Sequence, residues 1–317
     1  MITKSIEKAI KALGQSSVIA IPTETVYGLA ASIYDESAIR SIYEIKQRPL
    51  DNPLIVHLAD QDRLAEVVKE IPPAAQKLAD RFWPGPLTLL LPKSAKVPEI
   101  VTAGLPKVGV RVPDHAVTLD LLSQLDFPLA APSANPFKRI SPTNAAQVEA
   151  YFGDRIEVIL DGGECKKGLE STIVGFEHEK PVIYRLGSIT KEAIESCLGS
   201  NVKLKNKKDS APDSPGMLLK HYSPRTPMIL SNNLLGSLSW HQGKKLGLLI
   251  FEQPIDEKGI TKQIILSKNG DLGEAATKLY QAMQELDRSD LDLIIAERFP
   301  DYGLGATIND KLERASA

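Results

Sequence analysis

Short apolar runs that alternate with helical patterns restrict this chain to folds that combine helices with a sheet. Before residue 200, several runs have the Val/Ile/Leu content and the length typical of strands: VIAIPT, PLIVHLA, LTLLLP, VGVRVP, VILD, STIVGF and PVIYRLG. Helical spacing is indicated for residues 2–13, 115–125 and 190–198, and for segments that open at Asp35, Asp60 and Thr143. The alternation predicts an α/β or α+β layer protein with a mixed sheet, and neither a helical bundle nor a sandwich.

A segment rich in proline and lysine, residues 200–226, predicts a junction between two domains. A continuous helix or central strand is prevented by Pro212, Pro215, Pro224 and the adjacent Pro227. Six basic residues form a cluster in this segment: Lys203, Lys205, Lys207, Lys208, Lys220 and Arg225. Composition alone favours a solvated linker.

The sequence after the junction predicts a second, smaller domain. The runs PMIL, KLGLLIF, QIILS and LDLIIAE alternate with the helical stretches EAATKLYQAMQELD and INDKLERAS. This order is typical of a small parallel Rossmann-like α/β unit, although no Gly-x-Gly-x-x-Gly opens either helix. We therefore expect domains at residues 3–199 and 227–317, joined by the linker 200–226.

Composition and charge exclude several classes of protein. With 317 residues, 43% of them hydrophobic and 25% charged, the chain fits an ordinary folded protein of about two domains. Its apolar runs are far shorter than the ~18 residues of a membrane span, and its N-terminal segment lacks a signal peptide's apolar core. We therefore expect a cytoplasmic protein with no membrane association. Cys165 and Cys197 cannot build a disulfide framework and have no partner at metal-ligand spacing, so we expect no protein metal site.

Four polar segments beside predicted strands are the candidates for a functional site. The chain has no Walker phosphate loop, no GxSxG and no HExxH. The candidate segments are PTETVYGLA (22–30), KQRPLDNPLIVH (46–57), APSANPFKRISPT (131–143) and DGGECKKGLESTIV (161–174). Proline and glycine punctuate each of them, and such loops present side chains and backbone N–H groups on a rigid frame.

Each candidate has a functional and a structural interpretation. Lys46 and Arg48 can form a phosphate clamp, or they can serve the negative end of a helix. PTETVYGLA can line a cavity, or it can be a turn that satisfies its own hydroxyl groups. Thr143 is predicted to cap the helix that follows. Arg111 and Arg185 lie in β-branched runs, so each should reach an anion, either an internal carboxylate or a ligand.

The residues up to about 190 together offer cations and many hydroxyl groups, but no evident nucleophile with its base. Such a set fits an enzyme that binds an anionic substrate which is itself the nucleophile. Catalysis would then come from positioning and from neutralisation of charge.

These motifs, followed by SPGMLLKHYSP, closely resemble those of the two-domain threonylcarbamoyl-AMP synthases. The resemblance covers the first domain from Thr3 to about Leu198, and the linker motif is typical of the two-domain branch. It implies an open twisted mixed sheet of the YrdC-like type, a linker that closes over the site, and a smaller C-terminal domain. It also implies a nucleotidyltransferase that converts L-threonine, bicarbonate and ATP to L-threonylcarbamoyl-adenylate and pyrophosphate, for threonylcarbamoyladenosine modification of ANN-decoding tRNA.

The resemblance also implies roles for individual residues. Those expected to bind L-threonine are Thr23, Thr25, Arg48, His57, Arg111, Ala131 and Ser171. Those expected to bind ATP are Lys46, Asn52, Lys107, Ser133, Asn135, Ser141, Arg185 and Tyr222. Lys46 and Arg48 are the expected catalytic pair, and Mg2+ is expected to arrive with ATP. Lys107, Ala131 and the linker sequence MLLKHY depart from the usual residues of the family, which leaves those single contacts open.

Two other functions stay open from the sequence alone. One is an RNA-binding module, which the net charge of −2 and the lack of interleaved aromatic and basic residues disfavour. The other is a related carbamoyl-transfer or ATP-hydrolysing enzyme, which the linker motif disfavours. The expected partners are ATP, L-threonine, bicarbonate and the downstream tRNA threonylcarbamoyl-transfer machinery, with weak RNA binding as a further expectation.

Overall fold

The computed structural model describes residues 1–205 and 220–317. Residues 206–219 lie outside this description, and with them the SPGMLL part of the linker motif and part of the basic cluster. The strands are β1 (Ile2–Thr3), β2 (Ile19–Ile21), β3 (Gly28–Ser32), β4 (Ile55–His57), β5 (Leu87–Pro92), β6 (Lys107–Arg111), β7 (Leu129–Ala130), β8 (Ile159–Leu160), β9 (Thr172–Glu177), β10 (Lys180–Arg185), β11 (Lys203–Leu204), β12 (Met228–Ser231), β13 (Leu246–Ile250), β14 (Ile260–Ile265) and β15 (Leu293–Glu297). The helices are α1 (Ile6–Leu13), α2 (Glu36–Lys46), α3 (Leu64–Val67), α4 (Pro73–Phe82), α5 (Glu99–Thr102), α6 (Ala116–Ser123), α7 (Ala145–Phe152), α8 (Lys191–Leu198), α9 (Leu234–Trp240), α10 (Leu272–Asp287) and α11 (Gly303–Ala315).

Two separate sheets organise these elements. Strands β1 to β11 form one mixed sheet in the order β1-β8-β2-β3-β7-β4-β6-β5-β9-β10-β11. Strands β12 to β15 form a four-stranded parallel sheet in the order β12-β15-β13-β14. The predicted mixed α/β sheet and the smaller parallel unit are thereby confirmed. The bounds 3–199, 200–226 and 227–317 remain a prediction.

Some local predictions were wrong, for reasons visible in the backbone. The first helix begins at Ile6 and not at residue 2, because Ser5 caps it by accepting from the Lys8 N–H, and residues 2–3 pair with β8 as a short strand. Asn144, and not Thr143, caps α7: its side chain accepts from the Gln147 N–H, while the Thr143 N–H donates to the Gln147 side chain at 2.6 Å.

The strand order brings the candidate segments to one place. β2 and β3 pair antiparallel, and residues 22–27 connect them. β4 and β6 pair parallel, with His57 opposite Arg111 at the last position of both strands. Ser133 forms an isolated bridge with Gly28. Side chains from distant parts of the sequence therefore meet at one edge of the sheet.

The C-terminal domain packs directly on the first domain. One buried apolar cluster contains Val26 and Leu169 of the first domain together with Leu279 of α10. Hydrogen bonds cross the same interface from Thr277 Oγ1 to the Lys166 carbonyl at 3.2 Å and from Thr307 Oγ1 to the Gly187 carbonyl at 3.1 Å. The interface is therefore part of a hydrophobic core that lies mainly in the C-terminal domain.

Among residues 1–205 and 220–317, every helix is too short or too polar to cross a membrane. The same described part of the chain holds no group of three or more His, Cys, Asp or Glu side chains that could bind a metal ion.

Gly168 lets the two domains approach closely, which makes a testable prediction. Its φ is +69°, and a Cβ built there would lie 2.3 Å from the Thr277 carbonyl oxygen of α10. Gly163 has a similar φ of +82° but no atom within 4 Å of such a Cβ. We expect Gly163→Ala to lower the free energy of unfolding by about 1–2 kcal/mol through backbone strain alone, and Gly168→Ala by about 1–3 kcal/mol more through the clash.

Urea unfolding of both glycine variants would measure the difference. Equal losses of unfolding free energy would contradict the close approach of α10 to Gly168.

Candidate active site

A pocket at the ends of β2, β4 and β6 collects most of the predicted site residues. All seven residues predicted for L-threonine line it, and so do Ser133, Arg185 and Tyr222 of those predicted for ATP. The rest of the lining is Val26, Tyr27, Gly28, Ile55, Pro132, Glu170 and His221. Within the described residues, 1–205 and 220–317, the wall thus combines hydroxyl groups, three arginines and a single carboxylate.

Arg111 is held at one side of the pocket by a carboxylate and a hydroxyl. Its NH2 group lies 2.5 Å from Glu24 Oε1, and its NH1 group donates to Thr25 Oγ1 at 3.1 Å. Thr25 Oγ1 lies 2.7 Å from Thr23 Oγ1. Arg111 and Glu24 are both almost fully buried, so the sequence expectation of an internal carboxylate partner is met.

Lys46 and Arg48 are buried cations whose hydrogen bonds go to uncharged oxygens. Lys46 Nζ donates to the backbone carbonyls of Ser133 and Asn135. Arg48 donates to Asn52 Oδ1 at 2.5 Å and to the Pro53 carbonyl at 2.8 Å. Lys46, the last residue of α2, therefore reaches the loop that contains Ser133 and Asn135, whereas Arg48 binds within the loop that follows α2.

Burial changes the pKa values of this pair in the same direction. It lowers the pKa of Lys46 well below the usual lysine value, and the nearby Arg48 charge adds to the effect. Burial also lowers the pKa of Arg48, to about 10. A group of negative charge that entered the pocket would oppose both shifts, because it favours the charged forms.

Arg185 is tied to the segment that begins β9. Its Nε donates to the Ser171 carbonyl at 3.1 Å, and its NH2 donates to Ser171 Oγ at 2.9 Å. Ser171 Oγ also lies 2.7 Å from Thr88 Oγ1 on β5. One guanidinium thus fixes a hydroxyl group of the predicted threonine site.

The described end of the linker, residues 220–224, closes one side of the pocket. The His221 N–H donates to the Arg314 carbonyl at 3.0 Å, and the Ser223 N–H donates to the Lys138 carbonyl at 2.8 Å. The linker is therefore pinned by both domains. Tyr222 is almost fully buried between them.

Comparison with known proteins identifies the relatives of this chain. The family described as "Telomere recombination" (Sua5, YciO and YrdC) matches residues 11–187, and the family "Threonylcarbamoyl-AMP synthase, C-terminal domain" matches residues 189–317. The chain is 38% identical to the threonylcarbamoyl-AMP synthase of Pyrococcus abyssi, covering 95% of this chain and 91% of the relative. It is 39% identical to the threonylcarbamoyl-AMP synthase of Bacillus subtilis, covering 98% and 92%.

A solved structure agrees with these relatives. The crystal structure of P. abyssi Sua5 complexed with L-threonine matches with a TM-score of 0.91 and 38% identity, covering 98% of this chain and 94% of that chain. The chain belongs to the threonylcarbamoyl-AMP synthase family. It is an enzyme of the nucleotidyltransferase type, and the synthase interpretation is supported over an RNA-binding module or a carbamoyl-transfer enzyme.

Five of the predicted synthase residues do not line the pocket. Four of them contact the lining or its neighbours: Lys46 and Asn52 as described above, Ser141 through a 2.7 Å hydrogen bond to Glu170, and Asn135 through its backbone. Lys107 lies at the opposite end of β6 from Arg111. It lines another cavity and donates to the Phe176 carbonyl at 3.0 Å.

Sequence reasoning missed three residues that shape this pocket, Glu170, Tyr280 and Lys311, and it named Glu24 in a cavity-lining motif without predicting its pairing with Arg111. Glu170 also lies inside a motif already singled out, but a glutamate in a loop gives no sign that it will be buried. Tyr280 and Lys311 lie on α10 and α11, more than one hundred residues from the motifs they contact. Their positions in helical patterns predicted ordinary helix faces.

His57 makes a prediction about pH. Burial, with a smaller contribution from the charge of Arg111, lowers its pKa from 6.5 to about 3. The unfolded chain binds a proton at this residue below pH 6.5, whereas the folded chain does not until about pH 3. The free energy of unfolding should therefore decrease as the pH falls through this window, by about 2 kcal/mol between pH 7 and pH 5 from His57 alone.

Urea unfolding at pH 7 and pH 5 of the wild type and of His57→Gln would isolate this contribution, since all other groups titrate in both proteins. We expect the variant to lose less stability than the wild type. Equal losses would show that His57 is not buried in its neutral form.

Proposed function

We propose that this pocket carries out the family reaction, in which L-threonine, bicarbonate and ATP give L-threonylcarbamoyl-adenylate and pyrophosphate. The observation that carries the proposal is the convergence of Arg48, Arg111 and Arg185 on one hydroxyl-lined pocket. Such a pocket favours a small amino acid next to a polyphosphate. The solved relative complexed with L-threonine supports the amino acid.

Arg111 is the proposed partner of the threonine carboxylate. Glu24 engages its NH2 group, while its Nε has no hydrogen-bond partner among the described residues. The hydroxyls of Thr23, Thr25 and Ser171 can orient the side chain and the amine. His57 is neutral at physiological pH, so it adds no charge that would repel the threonine ammonium group.

The chemistry needs no nucleophile from the protein. The unprotonated threonine amine adds to CO2 with loss of a proton, or to bicarbonate with loss of water, and forms a carbamate. The carbamate carboxylate then attacks the α-phosphorus of ATP, the bond from that phosphorus to the bridging oxygen breaks, and pyrophosphate leaves. Lys46, Arg48 and Arg185 offset negative charge on the phosphates, which is electrostatic stabilisation of the kind typical of phosphoryl and nucleotidyl transfer. Tyr222 is the proposed cover of the nucleotide.

The proposed setting follows from the product. L-threonylcarbamoyl-adenylate would pass to the tRNA threonylcarbamoyl-transfer machinery in the cytoplasm, for modification of ANN-decoding tRNA. Weak direct binding of RNA remains a prediction. Its test is a titration with tRNA at rising salt, because contacts to phosphates weaken steeply as salt increases.

Pyrophosphate release would test the reaction. We expect release from ATP and bicarbonate to require L-threonine and to be lower with L-serine. Arg111→Ala should lower kcat/KM for threonine by about 100-fold, the loss of one charge-assisted carboxylate contact. Arg111→Ala alone leaves the Glu24 carboxylate buried without its partner, so the second variant combines Arg111→Ala with Glu24→Ala. The control is Arg63→Ala, which breaks the ion pair of Arg63 with Glu66.

Release that ignores threonine would exclude the proposed reaction and favour an ATP-hydrolysing enzyme. Full activity in the double variant would show that Arg111 does not bind the threonine carboxylate.

Mg2+ is proposed to enter with ATP and to be held by the phosphates. Glu170 is the only carboxylate in the described pocket lining, and both its oxygens accept protein hydrogen bonds. The metal would neutralise phosphate charge, as in other nucleotide reactions. We expect EDTA to abolish pyrophosphate release and excess Mg2+ to restore it, while the melting temperature without ATP stays unchanged. A lower melting temperature in EDTA would indicate a metal site in the protein itself.

A further inference from the structure

Glu170 connects the pocket to the C-terminal domain. Its Oε1 accepts a hydrogen bond from Ser141 Oγ at 2.7 Å, and its Oε2 accepts one from Tyr280 Oη of α10 at 2.8 Å. Glu170 is 5% exposed and Tyr280 is completely buried. A carboxylate on the pocket wall is thus held by one hydroxyl from each domain.

Tyr280 also fixes the aromatic residue of the linker. Its ring stacks on that of Tyr222, with centroids 5.6 Å apart and planes inclined by 26°. Tyr222 has a left-handed φ of +64°, a conformation that is unfavourable for a bulky residue, and its hydroxyl makes no hydrogen bond among the described residues. Its position therefore depends on packing from the C-terminal domain.

Lys311 of α11 completes this contact. Its Nζ lies 5.0 Å from the centre of the Tyr222 ring and donates to the Leu186 carbonyl at 2.8 Å. Leu186 follows Arg185 directly. The domain therefore holds Tyr222 from two helices and reaches the backbone beside a proposed nucleotide contact.

The hydrogen bonds of the Glu170 carboxylate matter because two arginines lie near it in the pocket. Arg48 and Arg185 share the pocket lining with it, and both are proposed to meet phosphates. A glutamate released from its hydroxyl donors would compete with the phosphates for those guanidinium groups. Two hydroxyl donors satisfy its oxygens instead, and each such charge-assisted hydrogen bond is stronger than one between neutral groups.

We infer that Tyr280 is a positioning residue for nucleotide binding: its hydroxyl holds the Glu170 carboxylate and its ring holds Tyr222, so that the C-terminal domain supports two residues of the active-site pocket from behind. The inference rests on the proposed function in taking ATP as the ligand and Arg48 and Arg185 as contacts of its phosphates. It gives the second domain a supporting part in nucleotide binding.

Tyr280→Phe tests the hydroxyl while keeping the ring stack. We expect the Kd for ATP, measured by calorimetry without threonine, to rise about 5- to 10-fold, which corresponds to the loss of one hydrogen bond to a charged group. In pyrophosphate release, KM for ATP should rise by a similar factor while kcat changes less than twofold. The melting temperature reports separately on any loss of stability.

Thr307→Val is the matched control. It also removes one hydroxyl donor from the same domain interface, to the Gly187 carbonyl, whereas the hydroxyl donors to the Glu170 carboxylate are Ser141 and Tyr280. We expect its Kd for ATP to stay within twofold of wild type. Equal weakening in both variants would show that the domain acts only through general docking, and would overturn the inference.

Glu170→Gln combined with Tyr280→Phe provides a rescue. The amide oxygen can still accept from Ser141, and the side chain no longer carries a charge that competes with phosphates. We expect the double variant to bind ATP more tightly than Tyr280→Phe alone. An unchanged Kd in Tyr280→Phe, or no recovery in the double variant, would contradict the role of Glu170.

The two readouts separate this inference from the proposed function. A wild type that binds ATP but releases pyrophosphate without regard to threonine would contradict the proposed reaction. The ratio of Kd values would still decide the role of Tyr280.

Discussion

The burial of positive charge at one edge of the large sheet is the constraint on which the rest of the structure depends. Removing a cation from water costs several kcal/mol unless other groups replace the lost solvation. Arg111 obtains a carboxylate, Glu24, whereas Lys46 and Arg48 obtain mainly carbonyl oxygens. Carbonyl groups solvate a cation without neutralising it, so the pocket keeps net attraction for an anion. The loops that turn those carbonyls inward are therefore part of the binding apparatus.

This constraint explains why the candidate segments are rich in proline. A loop that points its carbonyls at a buried cation must leave few backbone N–H groups without a partner. Proline meets this requirement because it has no backbone N–H group. The Pro53 carbonyl oxygen accepts a hydrogen bond from Arg48, and Pro132 and Pro136 flank the two carbonyls that accept from Lys46. Rigid φ angles also keep these oxygens in place before a substrate arrives. Preorganised dipoles of this kind cost little at the moment of reaction.

The sequence predicted the strands and the pocket-lining residues better than the residues that pack behind them. Runs such as LTLLLP and VGVRVP have strong strand propensity, and polar residues at their ends point to a site. β3, with the sequence GLAAS, gave no such signal, because glycine and alanine have low strand propensity and every residue of it is buried, which removes the alternating pattern. Tyr280 could not be predicted either. Its partner Glu170 lies 110 positions away, and only the packing of α10 on the first domain brings the two together.

The linker couples ligand binding in the pocket to the packing of the two domains. His221 Nδ1, Tyr222 Oη and Ser223 Oγ are consecutive buried polar atoms without a hydrogen-bond partner among the described residues. Each such atom costs about 1–3 kcal/mol relative to one that is satisfied. The closed linker is therefore held by packing on Tyr280 and Lys311 against an unfavourable polar term. A ligand that hydrogen-bonds to any of these atoms would offset part of that cost. By linkage, it would stabilise the docked arrangement of the two domains by the same amount.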